Sequence, residues 1–168
     1  GGYNQLSAPF GTTVTYTVKV IAKTAAHRYN GTGSGNGYTV DGVESPYLTL
    51  TPGRTYKFDQ ADGSNSSHPI KFYLNADKTG LYEGGVTYNG TAGSAGAYTQ
   101  IVVNDYTPTV LHYQCVNHAY MGNAVNTSSN SSMSAESSNL TAMAANSVDC
   151  RLGNYFTKTI TGATTFTF

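Results

Sequence analysis

A run of sulfur and imidazole side chains in residues 111–122 has the spacing of a metal-binding loop. Within it, Cys115, His118 and Met121 follow one another at three-residue steps. A thiolate, an imidazole and a thioether, joined by a second imidazole from a distant strand, are the donor set of a trigonal copper site with a long axial Met. Sulfur donors suit Cu(I) and imidazoles also accept Cu(II), so one such site holds both redox states.

The second imidazole is predicted to be His68, at the start of a strand in residues 67–72. The other two histidines are predicted to be structural. His112 lies three residues before Cys115 on one strand, so the two side chains point to opposite faces. His27 precedes a turn, where a hydrogen-bonded histidine is the simpler interpretation.

Two other interpretations of the same residues stay open. Cys115 can be a small buried hydrophobe and Met121 a residue that fills core space, in a domain that binds no metal. In an oxidising compartment, Cys115 can instead form a disulfide with Cys150, which would tie the end of the chain to the first domain. A disulfide is incompatible with a thiolate ligand.

The elements that position these residues are predicted to be strands. Apolar Val14, Tyr16, Val18 and Val20 alternate with Thr and Lys, which is typical of a strand with one buried face. Further strands are predicted at 47–50 and 55–58 around a tight reversal, and at 70–74, 98–103 and 109–115. Because no 3.6-residue period is sustained before residue 122, residues 3–122 are predicted to form an all-β sandwich.

The composition changes after this domain. Residues 123–147 are rich in Ser and Asn and offer little to bury, so they are predicted to be a low-complexity linker. The β pattern returns in residues 148–168, a short tail of two or three strands. So small a sheet is marginal alone, so the tail is expected to pair with the first domain, with residues beyond this chain or with another subunit.

The stretch from residue 14 to 125 resembles a cupredoxin, the Greek-key β-sandwich of blue copper proteins. The resemblance rests on one His before a core strand and on Cys-x2-His-x2-Met after the last strand. It implies that His68, Cys115 and His118 are equatorial copper ligands and that Met121 is the axial one. Blue copper proteins usually place Asn after the first His, whereas Pro69 stands here and lacks a backbone N–H.

A second resemblance covers residues 24–34, 37–42, 46–59 and 149–168. These segments are similar to modules of fibre and appendage proteins of tailed phages of marine cyanobacteria. The resemblance implies an extracellular structural role, on a virion or surface appendage, with copies of the chain or other appendage subunits as partners.

Charge and motifs exclude several other functions. Nine basic and nine acidic residues give a net charge of zero, without a basic cluster, so neither nucleic acid nor a membrane surface is an expected partner. A nucleophile elbow and paired carboxylates are absent from the sequence, so we do not expect an enzyme. Tyr82, Tyr88 and Tyr98 flank Gly-rich loops and are candidates for contact with glycans.

The sequence therefore leads to two functional hypotheses. The first is an extracellular structural subunit of a virion fibre or filamentous appendage, which assembles through strand pairing and carries copper in its cupredoxin-like domain. The second is a type 1 copper electron-transfer protein.

Overall fold

The computed structural model describes residues 12–127, 140–142 and 155–157. In residues 12–127 it contains eleven strands: β1 Thr13–Ala22, β2 Asn36–Val40, β3 Val43–Glu44, β4 Leu48–Thr49, β5 Thr55–Asp59, β6 Ile70–Tyr73, β7 Leu81–Tyr82, β8 Val86–Asn89, β9 Tyr98–Val102, β10 Val110–Cys115 and β11 Asn123–Asn126. A short 3-10 helix spans Gly63–Asn65. Across the described part of the chain, no helix has the length and apolar character needed to span a membrane.

The eleven strands form two sheets. One has the order β3-β2-β1-β5-β9-β8 and the other the order β4-β11-β10-β6-β7. Neighbouring strands are antiparallel except in two pairs, β1 with β5 and β11 with β4.

The core lies between the two sheets. Phe58 of β5 contacts Phe72 of β6 and Tyr113 of β10, with ring centroids 5.5 and 6.1 Å apart. All three side chains are fully buried, and burial of each large apolar side chain contributes about 1.5–3 kcal/mol. These contacts join opposite sheets, so the domain is the all-β sandwich that the sequence predicts.

Strand β1 shows the predicted alternation. Val14, Tyr16, Val18 and Val20 are buried or half-buried, while the Thr and Lys residues between them are exposed. The reversal at residues 52–53, however, does not join neighbouring strands. It carries the chain from β4 in one sheet to β5 in the other.

The first domain extends beyond the predicted boundary at residue 122. Asn123–Asn126, expected to open the linker, form β11 and pair with β10 and β4. The side chain of Asn123 is buried and satisfied, since its amide donates to the Ser45 carbonyl at 2.8 Å and its oxygen accepts from Arg28 at 2.9 Å. A polar residue that is fully hydrogen-bonded can lie inside a sandwich, which the composition alone did not indicate.

A second compact unit comprises Ser129–Phe168. Its described residues form β12 Leu140–Ala142 and β13 Tyr155–Thr157, which pair in parallel. The first falls in the predicted linker and the second in the predicted tail. The rest of both segments lies outside the described residues, and assembly through the tail stays a prediction.

Candidate metal centre

Pairing between β6 and β10 brings two of the predicted ligands together. Cys115 lies opposite Ile70 in this ladder, which places His68, two residues earlier, beside the thiol. The Sγ of Cys115 is 3.7 Å from Nδ1 of His68 and 3.6 Å from Nδ1 of His118. The three donor atoms all lie within 4.8 Å of one another.

The three donors differ in their exposure to solvent. Cys115 is fully buried. His68 and His118 are both half-buried as whole residues, but within the cluster His68 is buried and His118 is exposed. Burial lowers the pKa of His68, and the charge of His118 lowers it further. The neutral imidazole is the form that binds a metal ion, so at neutral pH His68 is ready to coordinate.

The chemistry of the donor set fits copper. One thiolate and two imidazoles are the equatorial ligands of a type 1 copper site, whereas oxygen-preferring cations such as Mg²⁺ need carboxylate or carbonyl donors. The backbone N–H of Asn117 donates to Sγ of Cys115 at 3.4 Å, a contact that orients the sulfur. Zinc also accepts Cys and His ligands, so an experiment must compare the two metals.

The fourth predicted ligand, Met121, lies in the same buried core cluster as Cys115. Its carbonyl oxygen accepts two hydrogen bonds, from the Tyr38 N–H at 2.8 Å and from Nε2 of His27 at 3.1 Å. The backbone at Met121 is therefore held firmly. Its role as axial ligand stays a prediction.

His27 has the structural role that the sequence predicts. Its Nδ1 accepts from the Tyr29 N–H at 2.9 Å, so Nε2 carries the proton that is donated to Met121. The ring packs directly on Gly37, where a Cβ would overlap it. Burial lowers the pKa of His27, in agreement with a neutral ring.

His112 does not belong to the three-donor cluster. It pairs with Tyr73 and Ala124 in the middle of the second sheet. Its position three residues from Cys115 places it on the other face of β10. Burial lowers its pKa, and the positive charge of Arg28 adds to the shift.

Two buried side chains missed by the sequence analysis fix the backbone around Pro69. The carbonyl of His68 accepts hydrogen bonds from the Tyr38 hydroxyl at 2.7 Å and from Nε2 of Gln60 at 2.8 Å. Oε1 of Gln60 accepts from the Ile70 N–H at 2.9 Å. One amide thus binds the backbone on both sides of the proline.

Gln60 is itself held by a buried neighbour. Its Nε2 also donates to Oδ1 of Asn65 at 3.2 Å, and Nδ2 of Asn65 donates to the Val18 carbonyl at 2.8 Å. This network joins the His68 segment to β1. Buried polar groups that are all hydrogen-bonded make a region rigid. The backbone that carries His68 is therefore held firmly against β1.

Cys115 carries a free thiol in the part of the chain that the structure describes. Cys150 lies outside that part. The disulfide between them therefore stays an untested alternative.

No family model matches the chain, and no curated protein matches it. Among solved structures it is similar to rusticyanin from Thiobacillus ferrooxidans, with 11% identity, a TM-score of 0.37 and coverage of 69% of this chain and 77% of that one. A methionine-to-leucine variant of rusticyanin is 14% identical over 73% of this chain and 84% of that one, with a TM-score of 0.33. The resemblance to phage fibre proteins has no support in these comparisons.

Proposed function

We propose that the chain binds one copper ion through His68, Cys115 and His118 and acts as a type 1 copper electron-transfer protein. The observation that carries the proposal is the assembly of one buried thiol and two imidazole nitrogens within 4.8 Å of one another. A copper ion bound there would supply one-electron chemistry by alternating between Cu(I) and Cu(II).

The surroundings of the donors support electron transfer as well as binding. Tyr38 and Gln60 hold the His68 carbonyl, and Asn117 holds the Cys115 sulfur. Donors fixed by such outer contacts keep their orientation, so little rearrangement accompanies a change of charge. His118, the most solvent-facing donor, gives a redox partner the shortest approach.

The proposal is tested by adding Cu(II) to the metal-free chain and counting the equivalents bound. The loaded protein is then reduced with ascorbate and reoxidised while its visible spectrum is followed. We expect one equivalent, with a reversible colour change. His118→Ala should lose this site, whereas His112→Ala, which changes a histidine outside the cluster, should retain it.

Three results would contradict the proposal. The first is a chain that binds no copper. The second is equal loss of the copper site in His118→Ala and His112→Ala. The third is a zinc-loaded chain from which an excess of copper does not displace the zinc.

A further inference from the structure

The two segments that carry His68 and Cys115 lose their regular pairing at Pro69. In the β6–β10 register Cys115 lies opposite Ile70, and one step further the Val116 N–H donates to the Pro69 carbonyl at 3.0 Å. Two residues paired in this way normally exchange both N–H···O bonds. Proline has no N–H, so the Val116 carbonyl lacks the donor that its backbone partner would provide.

A lysine supplies the donor at this point. Nζ of Lys78 donates to the Val116 carbonyl at 3.0 Å. Lys78 lies between β6 and β7, in a turn where its own N–H donates to the Asn75 carbonyl. Its side chain reaches from that turn to the loop that follows Cys115, and it binds the atom that Pro69 leaves without a donor.

An asparagine makes the next connection. Nδ2 of Asn117 donates to the Ser67 carbonyl at 2.8 Å, and the backbone N–H of the same residue donates to Sγ of Cys115. Asn117 therefore contacts both donor-bearing segments, beyond the point at which backbone pairing ends.

We infer that Lys78 and Asn117 are positioning residues whose side chains continue the pairing that Pro69 interrupts and so hold His68 against Cys115. The inference deepens the proposed function and rests on it only for the copper measurements. The contacts belong to the metal-free chain, so they can also be tested without copper.

The first experiment measures how fast a disulfide reagent modifies the Cys115 thiol in metal-free protein. A Cys150→Ser background leaves one thiol to observe. Because Cys115 is fully buried, its reaction reports opening of the two segments. Lys78→Met should increase the rate about fivefold, the effect of one net hydrogen bond.

Pro69→Ala provides the decisive comparison because it restores the missing N–H. In that background Lys78→Met should change the rate by less than about twofold, since the backbone then supplies the donor. An equal effect of Lys78→Met in both backgrounds, or none in either, would overturn the role of Lys78. Urea unfolding of each variant shows whether a faster reaction reflects local opening or global loss of stability.

The second experiment compares Asn117→Ala with Asn89→Ala. Asn89 is also exposed, and its Nδ2 also donates to a backbone carbonyl, that of Gly96 at 2.9 Å, but it lies on β8, outside the donor segments. We expect Asn117→Ala to speed thiol modification about fivefold and to weaken copper binding about 10-fold with an altered visible spectrum. Asn89→Ala should do neither.

Indistinguishable behaviour of the two asparagine variants would overturn the role of Asn117. A parent chain that takes up no copper would contradict the proposed function instead. In that case the thiol rates would still decide the inference.

Discussion

The buried hydroxyl of Tyr38 donates a hydrogen bond of 2.7 Å to the carbonyl oxygen of His68. The backbone N–H of Tyr38 donates to the Met121 carbonyl at 2.8 Å. Burial raises the pKa of Tyr38 well above its ordinary value, and the nearby Cys115 adds to the shift, so the hydroxyl stays protonated and able to donate. A residue of β2, in one sheet, thus links the segment that carries His68 to the loop that carries Met121, and both flank strands of the other sheet.

Tyr38→Phe should weaken copper binding because the His68 carbonyl would keep only Gln60 as a donor. Tyr113→Phe is the matched control, since Tyr113 is equally buried and its hydroxyl donates to the Pro46 carbonyl at 2.6 Å. Both variants should lose about 1–3 kcal/mol of unfolding free energy. Only Tyr38→Phe should change the copper dissociation constant, and an equal change in the control would argue against the link.

The role of Tyr38 shows where prediction from sequence ends. Cys115, His118 and Met121 lie close together in the chain, so their spacing is visible, and His68 is marked by the strand that it precedes. Tyr38 reaches the site from 30 residues before His68, and only the packing of one sheet on the other brings it there. Because the sequence around Tyr38 is rich in Gly, its pattern did not predict strand β2.

Gly122→Ala should destabilise the loop that carries Met121. A Cβ at Gly122 would overlap the Tyr113 carbonyl oxygen and contact Cδ2 of its ring at 2.7 Å. Overpacking of this kind costs about 1–3 kcal/mol, measurable by urea unfolding. Gly35→Ala is the control, because a Cβ there has no atom within 4 Å; an equal loss in both variants would contradict the steric explanation.

The metal-free chain should lose stability as the pH falls below 6.5. Burial lowers the pKa of His27, His68 and His112 from an ordinary value of 6.5. The unfolded chain therefore binds more protons between that value and the folded pKa values, and stability falls with pH across this window. The pKa of Asp62 and of Asp77 is also lowered, from 3.8, but their contribution is lost only at more acidic pH.

Unfolding free energies measured between about pH 8 and pH 5 test this directly, since that range isolates histidine titration. His27→Gln should reduce the dependence of the unfolding free energy on pH, because it removes one of the three histidines whose pKa is lowered. A free energy that stays constant or rises toward pH 5 would contradict the assignment of neutral histidines.

Met121→Leu should show whether Met121 is a copper ligand or only a residue of the core. The swap nearly conserves volume, so less than about 1.5 kcal/mol of stability should be lost. If the thioether is the axial ligand, the reduction potential measured by voltammetry should rise, because a donor to Cu(II) is removed. Leu50→Met, at another fully buried position, should leave the potential unchanged, and an unchanged potential in Met121→Leu would show that Met121 is only packing.

The domain boundary shows a second limit of the sequence. Composition placed residues 123–126 in a linker because residues 123–147 are rich in Ser and Asn and offer little to bury. In the structure Val125 is fully buried, and Asn123 is buried with its amide bonded to Ser45. Ser45 lies 78 residues before Asn123. Local composition therefore could not distinguish a buried, hydrogen-bonded asparagine from a solvated one. Strand β1 was predictable because its alternation is itself local.

The absorption spectrum of the chain after addition of Cu(II) tests the central claim most directly. Copper bound to the Cys115 thiolate and two imidazoles should give the intense visible colour of a type 1 site, at one equivalent. Cys115→Ser should remain colourless, while Cys150→Ser should retain the colour. A parent chain that stays colourless with a titratable Cys115 thiol, or a colour that survives Cys115→Ser, would contradict the account.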